Sequence, residues 1–427
     1  MKKNQLLLFL ILLIATAFPH TALPQTDVYL KVYKRTFQRM NLALHPFTSK
    51  NNGGEADMIR GLIGAVLKND LWMSGYFNVE LQLVASPVNG ASSSGTDNFF
   101  AAIHGSFAIA ENLVSIEPQV IDKASGSVIH RSNYKQPVGN ERSAIHKIAD
   151  DIVYTLTGES GFANSKVAYV QETKNGWKEI AVMDYDGSNI NVVTQDKSIN
   201  LSPVWSPDGR KLCYTSYKND NPDLYILNLT TGQEVKISDV NGLNTAPAWS
   251  PDGSRIAMTL TKDGNAEIYT VHVDRKFTQR LTYSRAINSS PTWSPSNREI
   301  AFTSDRSGMP QVYIMDSDGL NIRRLTFEGS YNDSPAWSPR GDKIAFVSRT
   351  DSGFDIYTID VNGENMMRLT DSSRSNEDPT WSPNGFSLIF SSNRNGKKQL
   401  YSMFWDGAAQ KKLTEININY LPSWSVR

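Results

Sequence analysis

One polar residue recurs at a fixed place in a motif of the chain's second half, Asn-x-x-Pro-x-Trp-Ser. Each asparagine stands three residues before the proline. Its amide can bind a partner as part of a polar ring, or it can hydrogen-bond local backbone and shape a loop. The two interpretations are compatible. The six residues are Asn200, Asn244, Asn288, Asn332, Asn376 and Asn419.

Residues that commonly carry catalysis or bind metal are scarce in the same region. Of the six histidines only His272 lies beyond residue 160, and the chain contains neither Gly-x-Ser-x-Gly nor His-Glu-x-x-His. The single cysteine, Cys213, excludes an intramolecular disulfide and a multi-cysteine metal site. Aspartate-glycine pairs lack the spacing of a calcium loop and fall where hairpin turns are expected. We therefore predict no catalytic residue, no metal site and no cofactor.

The elements that must position the asparagines are short strands in a repeat of about 44 residues. The motif tryptophan recurs at intervals of 44, 44, 44, 44 and 43 residues, and a tyrosine and a basic-aliphatic-hydroxyl triplet such as Arg324-Leu325-Thr326 keep the same phase. This period is typical of a four-stranded propeller blade. The tryptophans are predicted to be core residues rather than ligand contacts. They are Trp205, Trp249, Trp293, Trp337, Trp381 and Trp424.

The first repeat lacks a Pro-x-Trp-Ser strand, whereas the last such strand ends the chain. Pro422-Ser423-Trp424-Ser425 is therefore predicted to supply the innermost strand of the first blade, which closes the ring and removes exposed sheet edges. The predicted fold is mainly β, with a six-bladed β-propeller over residues 163–427. Cys213 takes the place that alanine holds in other repeats, such as Ala257, and is predicted to be a small buried residue.

A different pattern, typical of a small α/β domain, occupies residues 26–160. Strands are predicted at 27–33, 42–47, 77–83, 101–109, 114–121 and 127–134. A first helix is predicted over 56–67, and a second from near Asn140 to Gly158. Residues 89–98, rich in serine and glycine, are predicted to be a loop.

Bulk properties restrict the location and the partners of the chain. Forty-three basic and forty-three acidic residues give a net charge of zero, which argues against binding to nucleic acid. Lys2 and Lys3 precede an apolar run from Leu6 to Ile14 that is too short to span a bilayer, so residues 1–22 are predicted to be an export signal. The cleavage site stays open between Ala17 and Ala22. We expect an exported, monomeric protein.

The residues between each asparagine and its proline vary from repeat to repeat, as expected if loops on a common scaffold carry recognition. These connections run from the outer strand of one blade to the inner strand of the next, so all should reach one face near the central channel. We predict the binding surface there. Beside the asparagines, the variable positions selected are Thr245, Ala246, Ser289, Ser290, Asp333 and Glu377.

The order of signal, α/β domain and six blades resembles the TolB family, the periplasmic propeller proteins of the Tol-Pal cell-envelope system. Leu156-Thr157-Gly158 leading into Ser165-Lys166-Val167-Ala168-Tyr169, and the repeated Pro-x-Trp-Ser-Pro-Asp-Gly, also match that family. The resemblance covers essentially the whole chain after the signal. One departure is Lys34-Arg35-Thr36-Phe37, where some members carry a glycine-rich segment.

The resemblance implies a non-enzymatic periplasmic adaptor that supports outer-membrane integrity and envelope constriction at division. It implies that the lipoprotein Pal binds at the propeller mouth, with Leu243, Asn244, Ala246 and Ser289 as contacts. It also implies that TolA binds the N-terminal strand, assigned to Val28, Tyr29, Leu30, Lys31 and Val32.

Two alternative functions stay open. The first is a secreted propeller hydrolase or lyase, which would need clustered acid, base or metal-binding groups. The second is a carbohydrate-binding propeller, which would need aromatic residues at the mouth such as Tyr331 and Tyr420.

Overall fold

The structure, a computed structural model, describes residues 39–83, 98–371 and 374–426. Residues 39–427 form one compact unit that contains both the α/β part and the propeller. Three predicted features lie wholly or almost wholly outside the described residues: the export signal, the strand at 27–33 with its proposed TolA-binding residues, and the loop at 89–98. None of the described helices is both long enough and apolar enough to span a membrane.

The α/β part is a seven-stranded sheet covered by two helices. Helix α1 spans Gly54–Met73 and helix α2 spans Glu141–Thr157. Gly158 ends α2 in the left-handed conformation, with a φ of 75°, as the sequence predicts. The strands are Met40–Leu44, Thr48–Ser49, Phe77–Leu81, Ala101–Ala110, Leu113–Asp122, Val128–Arg131 and Tyr134–Pro137.

Two predictions for this part need correction. The predicted strand at 127–134 is two strands, because Val128–Arg131 and Tyr134–Pro137 pair with different stretches of the central strand Leu113–Asp122. Helix α1 is longer than the predicted 56–67 and extends to Met73. Its last turns bury Leu71 and Met73 in the same core, so tertiary packing extends the helix past the clearest part of its apolar pattern.

The propeller consists of six four-stranded antiparallel sheets, which confirms the predicted fold. We number the blades in chain order and the strands of each blade from the channel outward. Blade 2 is Asn200–Trp205, Lys211–Ser216, Asp223–Asn228 and Glu234–Ser238; blade 3 is Asn244–Trp249, Arg255–Leu260, Glu267–His272 and Thr278–Arg280; blade 4 is Asn288–Trp293, Glu299–Ser304, Gln311–Asp316 and Arg323–Arg324; blade 5 is Asn332–Trp337, Lys343–Thr350, Gly353–Asp360 and Met367–Arg368; blade 6 is Asn376–Trp381, Ser387–Ser392, Gln399–Phe404 and Lys411–Lys412.

Blade 1 takes its innermost strand from the end of the chain. Ile418–Trp424 pairs antiparallel with Lys166–Glu172, which is followed by Lys178–Asp184 and Asn191–Val192. Trp424 pairs with Val167, and the backbone N–H of Ser425 donates to the carbonyl of Lys166 at 2.8 Å. This is the arrangement expected from the missing strand of the first repeat. It covers the inner edge of Lys166–Glu172 and gives blade 1 four strands, as in the other blades.

The repeat distributes its core residues as predicted. Five of the six motif tryptophans are buried and Trp249 is partly buried, and Cys213 is fully buried in blade 2. Three indoles, those of Trp205, Trp293 and Trp381, also link neighbouring blades: the Nε1–H of Trp293, for example, donates to the carbonyl of Ala248 at 3.1 Å. The tryptophan therefore contributes both buried area and a bond between blades.

The ends of the strands define two faces of the propeller. The mouth face carries the connections between blades and the hairpins between second and third strands. The turn face carries the remaining hairpins, including the Ser-Pro-Asp-Gly turns. The α/β part contacts the turn face at blades 6 and 1, where Trp72 packs edge-on against Phe404 and Asn384 donates to the carbonyl of Ser74 at 3.0 Å.

Candidate functional site

The innermost strand of every blade carries a β-bulge just before its proline. The proline lies at this bulge, where its missing N–H costs no regular ladder bond. The residue before the proline has a positive φ of 50–57° in all six blades, although none is glycine. These residues are Ser202, Ala246, Ser290, Ser334, Asp378 and Leu421.

The bulge makes two consecutive side chains accessible where a regular strand would expose only one. In blades 2 to 6 the burial sequence begins with a buried asparagine, continues with two partly exposed residues and then returns to a buried proline. The paired positions include Thr245 with Ala246 and Ser289 with Ser290. Asp333 and Glu377 take the first of these positions in blades 5 and 6. The variable residues selected from the sequence are thus partly exposed beside the channel mouth.

The six asparagines themselves are buried, with at most 1% of each residue exposed. Asn288 shows the common arrangement: its Nδ2 donates to the buried Glu267 carboxylate at 2.7 Å and to Ser284 Oγ at 2.8 Å. Arg306 donates to Asn288 Oδ1 at 2.8 Å. The hydroxyl of Thr282 donates to the same Glu267 carboxylate and accepts from the backbone N–H of Ile268 at 2.8 Å.

The same network recurs around the ring with changes of residue type. Four of the other five asparagines bond an acidic or amide side chain of the preceding blade at 2.8–3.0 Å, and these partners are Glu179, Gln311, Asp355 and Gln399. Asn244 is the exception, since its Oδ1 accepts from Ser238 and its Nδ2 donates to backbone carbonyls.

These contacts revise the role of the asparagines. An accessible polar ring is wrong for their side chains, because the amides already bond the preceding blade or their own loop. Loop shaping is the interpretation that their contacts favour. The hydroxyl of the basic-aliphatic-hydroxyl triplet belongs to the same network.

Exposed apolar side chains are the feature of the mouth face that the sequence analysis missed, apart from Leu243. Tyr283 and Phe327 are about three-quarters exposed, at 75% and 72%, and Ile287 and Leu243 are about half exposed. All four lie on the connections that join blades 2 to 3, 3 to 4 and 4 to 5. We call them the apolar mouth residues. The signal in the sequence is the aromatic residue that follows the triplet in blades 3 and 4, where blades 2, 5 and 6 carry Asp239, Asp371 and Glu415.

The two tyrosines of the carbohydrate-binding alternative are half-buried and already engaged. Tyr331 packs against Phe354 and donates its hydroxyl to Asp333 at 3.0 Å. Tyr420 lies within 6 Å of the ammonium groups of Lys178 and Lys398. Burial, with nearby carboxylates, raises the pKa of each phenol to about 12. Neither ring presents the open aromatic surface on which a sugar would stack.

Comparison with known proteins places this architecture in a family. The fold defines a class of proteins in which a six-bladed β-propeller carries an α/β part on one face. The family model described as "TolB beta propeller domain" matches residues 153–427. The chain belongs to the TolB family.

Individual relatives agree with this assignment. The Tol-Pal system protein TolB of Haemophilus ducreyi is 31% identical over 241 residues, 55% of each chain, and that of Roseobacter denitrificans is 34% identical over 149 residues, 34% of each chain. The chain therefore spans about a third to a half of the length of these curated relatives. The crystal structure of TolB from Acinetobacter baumannii superposes with a TM-score of 0.78 at 27% identity, covering 91% of this chain and 97% of that one.

Proposed function

We propose that this protein is a non-enzymatic adaptor of the Tol-Pal system in the periplasm, which binds the lipoprotein Pal at its mouth face. In this role it would support outer-membrane integrity and envelope constriction during division. The observation that carries the proposal is the exposed group of apolar mouth residues, on a chain whose relatives are named as Tol-Pal system proteins. Large exposed aromatic and aliphatic side chains are characteristic anchors of protein interfaces.

The proposed Pal-binding surface combines the apolar mouth residues with the paired positions of the bulge. Leu243, Thr245 and Ala246 lie on one connection, and Ser289 and Ser290 lie on the next. Asp333 and Glu377 extend the surface with partly exposed carboxylates. In this arrangement the exposed neighbours contact Pal, and the buried side chains of the six asparagines hold the connections in place; these are Asn200, Asn244, Asn288, Asn332, Asn376 and Asn419.

Calorimetry tests the Pal site. The chain without residues 1–22 is titrated with the soluble domain of Pal from the same organism, and the titration is repeated with Leu243→Asp plus Ser289→Tyr. We expect the variant to lose at least tenfold in affinity, about 1.4 kcal/mol. Leu320→Asp is the matched control, because Leu320 is 61% exposed on the turn face. No binding by the parent would refute the adaptor function, and equal binding by all three proteins would refute the site.

The second part of the proposal assigns TolA binding to the N-terminal segment, at Val28, Tyr29, Leu30, Lys31 and Val32. Pal at the mouth would shift the segment between docked and released forms, which couples the two sites. TolA affinity is measured with the mouth empty and with Pal saturating. A change in affinity is expected, and equal affinities would exclude the coupling.

A further inference from the structure

The contact between the α/β part and blade 1 buries a histidine among aspartates. His146 lies on helix α2 and is 2% exposed, and Asp70 lies on helix α1 and is 3% exposed. Asp184 ends the third strand of blade 1, and Asp186 follows it in the next turn. Because the two residues are separated by one position near the end of a strand, their carboxylates can face the same side. The cluster is therefore assembled from both parts of the compact unit.

Asp70 holds the imidazole in one orientation. Its Oδ2 lies 2.7 Å from His146 Nδ1, and its Oδ1 accepts from the Tyr185 hydroxyl at 2.6 Å. The opposite ring nitrogen, His146 Nε2, is buried and has no hydrogen-bond partner in the described chain. Its nearest carboxylate oxygen is Asp184 Oδ2, at 3.8 Å, which is too long for a hydrogen bond. A buried nitrogen thus points toward two carboxylates without bonding either.

This is the arrangement that a histidine adopts when it binds a metal ion, with one ring nitrogen on a carboxylate and the other on the metal. One donor atom from each of His146, Asp184 and Asp186 lies within 4.8 Å of the other two. Donor atoms around a tetrahedral zinc ion are about 3.4 Å apart, so rotation of the carboxylates would bring the three atoms to bonding distance. We propose that His146 Nε2, Asp184 and Asp186 form a binding site for a divalent transition-metal ion such as Zn²⁺.

Charge balance favours a cation at this place. Asp70, Asp184 and Asp186 face the imidazole. Among the described residues, the basic groups that contact these carboxylates are Lys166, on Asp184 Oδ1, and Arg142, on Asp186 Oδ2. Both basic side chains are partly exposed, at 46% and 28%, and can move toward solvent. The Asp184 oxygen that faces His146 is not contacted by Lys166, and it accepts from Asn189 Nδ2 at 2.6 Å and from Ser188 Oγ at 3.2 Å. A divalent ion bound to this oxygen would displace these two neutral donors and offset the remaining negative charge.

An ion at this site would tie the α/β part to the propeller. His146 belongs to the first and the two aspartates to the second, so metal binding would add a link between two elements that otherwise meet through side-chain packing and hydrogen bonds. Because the site exists only in the folded chain, the binding free energy would add to its stability.

The experiment uses Zn²⁺ alone as the probe. The purified chain is stripped with EDTA, dialysed at pH 7.5, and titrated with ZnCl₂ by calorimetry, and its melting temperature is recorded with and without the metal. We expect one site with a Kd below about 10 μM and a melting temperature that rises with zinc. His146→Gln and Asp186→Asn should each weaken binding by at least tenfold. Asp186→Asn keeps the size and shape of the side chain, so this variant keeps the test valid if the buried His146→Gln variant fails to fold.

The matched control removes a histidine elsewhere. His45 stacks on His104 with ring centroids 4.1 Å apart in the α/β part, and His45→Gln should leave the high-affinity site intact. Equal zinc affinity in the parent and Asp186→Asn, or loss of the site in His45→Gln, would overturn the proposal. Absence of zinc binding by the folded parent protein would also overturn it.

Discussion

The two faces of the propeller are built from the same repeat but are used differently. On the turn face, hairpins pack closely on the neighbouring blade: Gly319 has a φ of 92°, and a Cβ there would lie 2.5 Å from the carbonyl oxygen of Leu281. That face also receives the α/β part at blades 6 and 1. The mouth face has connections of variable sequence, and it carries the apolar mouth residues. Tight, repeated contacts therefore constrain the sequence of the turn face, whereas the sequence of the mouth face can vary.

The two ends of the innermost strand explain how this difference is possible. At the turn end, a tryptophan indole bonds the neighbouring blade, as Trp293 does with the Ala248 carbonyl. At the mouth end, a buried asparagine bonds the preceding blade or its own loop, as Asn288 does with Glu267. The two exposed positions that follow the asparagine take no part in either contact. Their sequence can change without disturbing the blade, which is what a recognition surface requires.

The largest expected effect comes from opening the ring. Truncation after Asn419 removes the pairing of Tyr420 with Val170 and of Trp424 with Val167, and it exposes the edge of Lys166–Glu172. Loss of one buried tryptophan costs about 3–5 kcal/mol, so the melting temperature should fall by at least about 4 °C. Truncation after Ser425 is the control, because Val426 is half exposed. An unchanged thermal transition in the shorter protein would exclude closure as a source of stability.

A smaller effect is expected from the mouth end of one strand. Asn288→Ala removes hydrogen bonds to the buried Glu267 carboxylate and to Arg306, which should lower the free energy of unfolding by about 2–3 kcal/mol. The adjacent Ser289→Ala should change it by less than about 0.5 kcal/mol. Chemical denaturation of both variants measures the difference. Equal stability of the two variants would mean that the buried Asn288 amide does not stabilise the connection between blades 3 and 4.

The smallest effect concerns the turn end of the strand. Trp293→Phe loses the bond to the Ala248 carbonyl, whereas Trp249 Nε1 has no hydrogen-bond partner within the described residues. Trp293→Phe should therefore cost about 1 kcal/mol more than Trp249→Phe. The same denaturation assay compares them. If Trp249→Phe proved the more costly, packing rather than the bond between blades would determine the role of the indole.

Much of the propeller is predictable from sequence because the repeat carries its own register. The missing first strand indicated that Trp424 belongs to blade 1, and the alanine series placed Cys213 in the core. The bulge could not be predicted, because Ser202 and Ala246 are ordinary residues and nothing in their type demands a positive φ. The accessibility of the paired positions depends on that bulge, so their exposure could not be predicted from the sequence.

The burial of the asparagines and the cluster at His146 could not be predicted from the sequence for another reason. Asn288 is buried because Glu267, 21 residues earlier, and Arg306, 18 residues later, both reach it. His146 meets Asp70 because the two helices pack together, and it meets Asp184 because the α/β part sits on blade 1. Both depend on contacts between elements that no local pattern encodes.

Hydrogen-deuterium exchange of the chain with and without the soluble Pal domain tests the central claim, that the mouth face is the binding surface, most directly. We predict slower exchange in peptides covering 239–246 and 283–290 when Pal is bound, with no change in the turns at 206–210 and 317–321. Protection confined to those turns, or to the α/β part, would contradict the assignment of the mouth face.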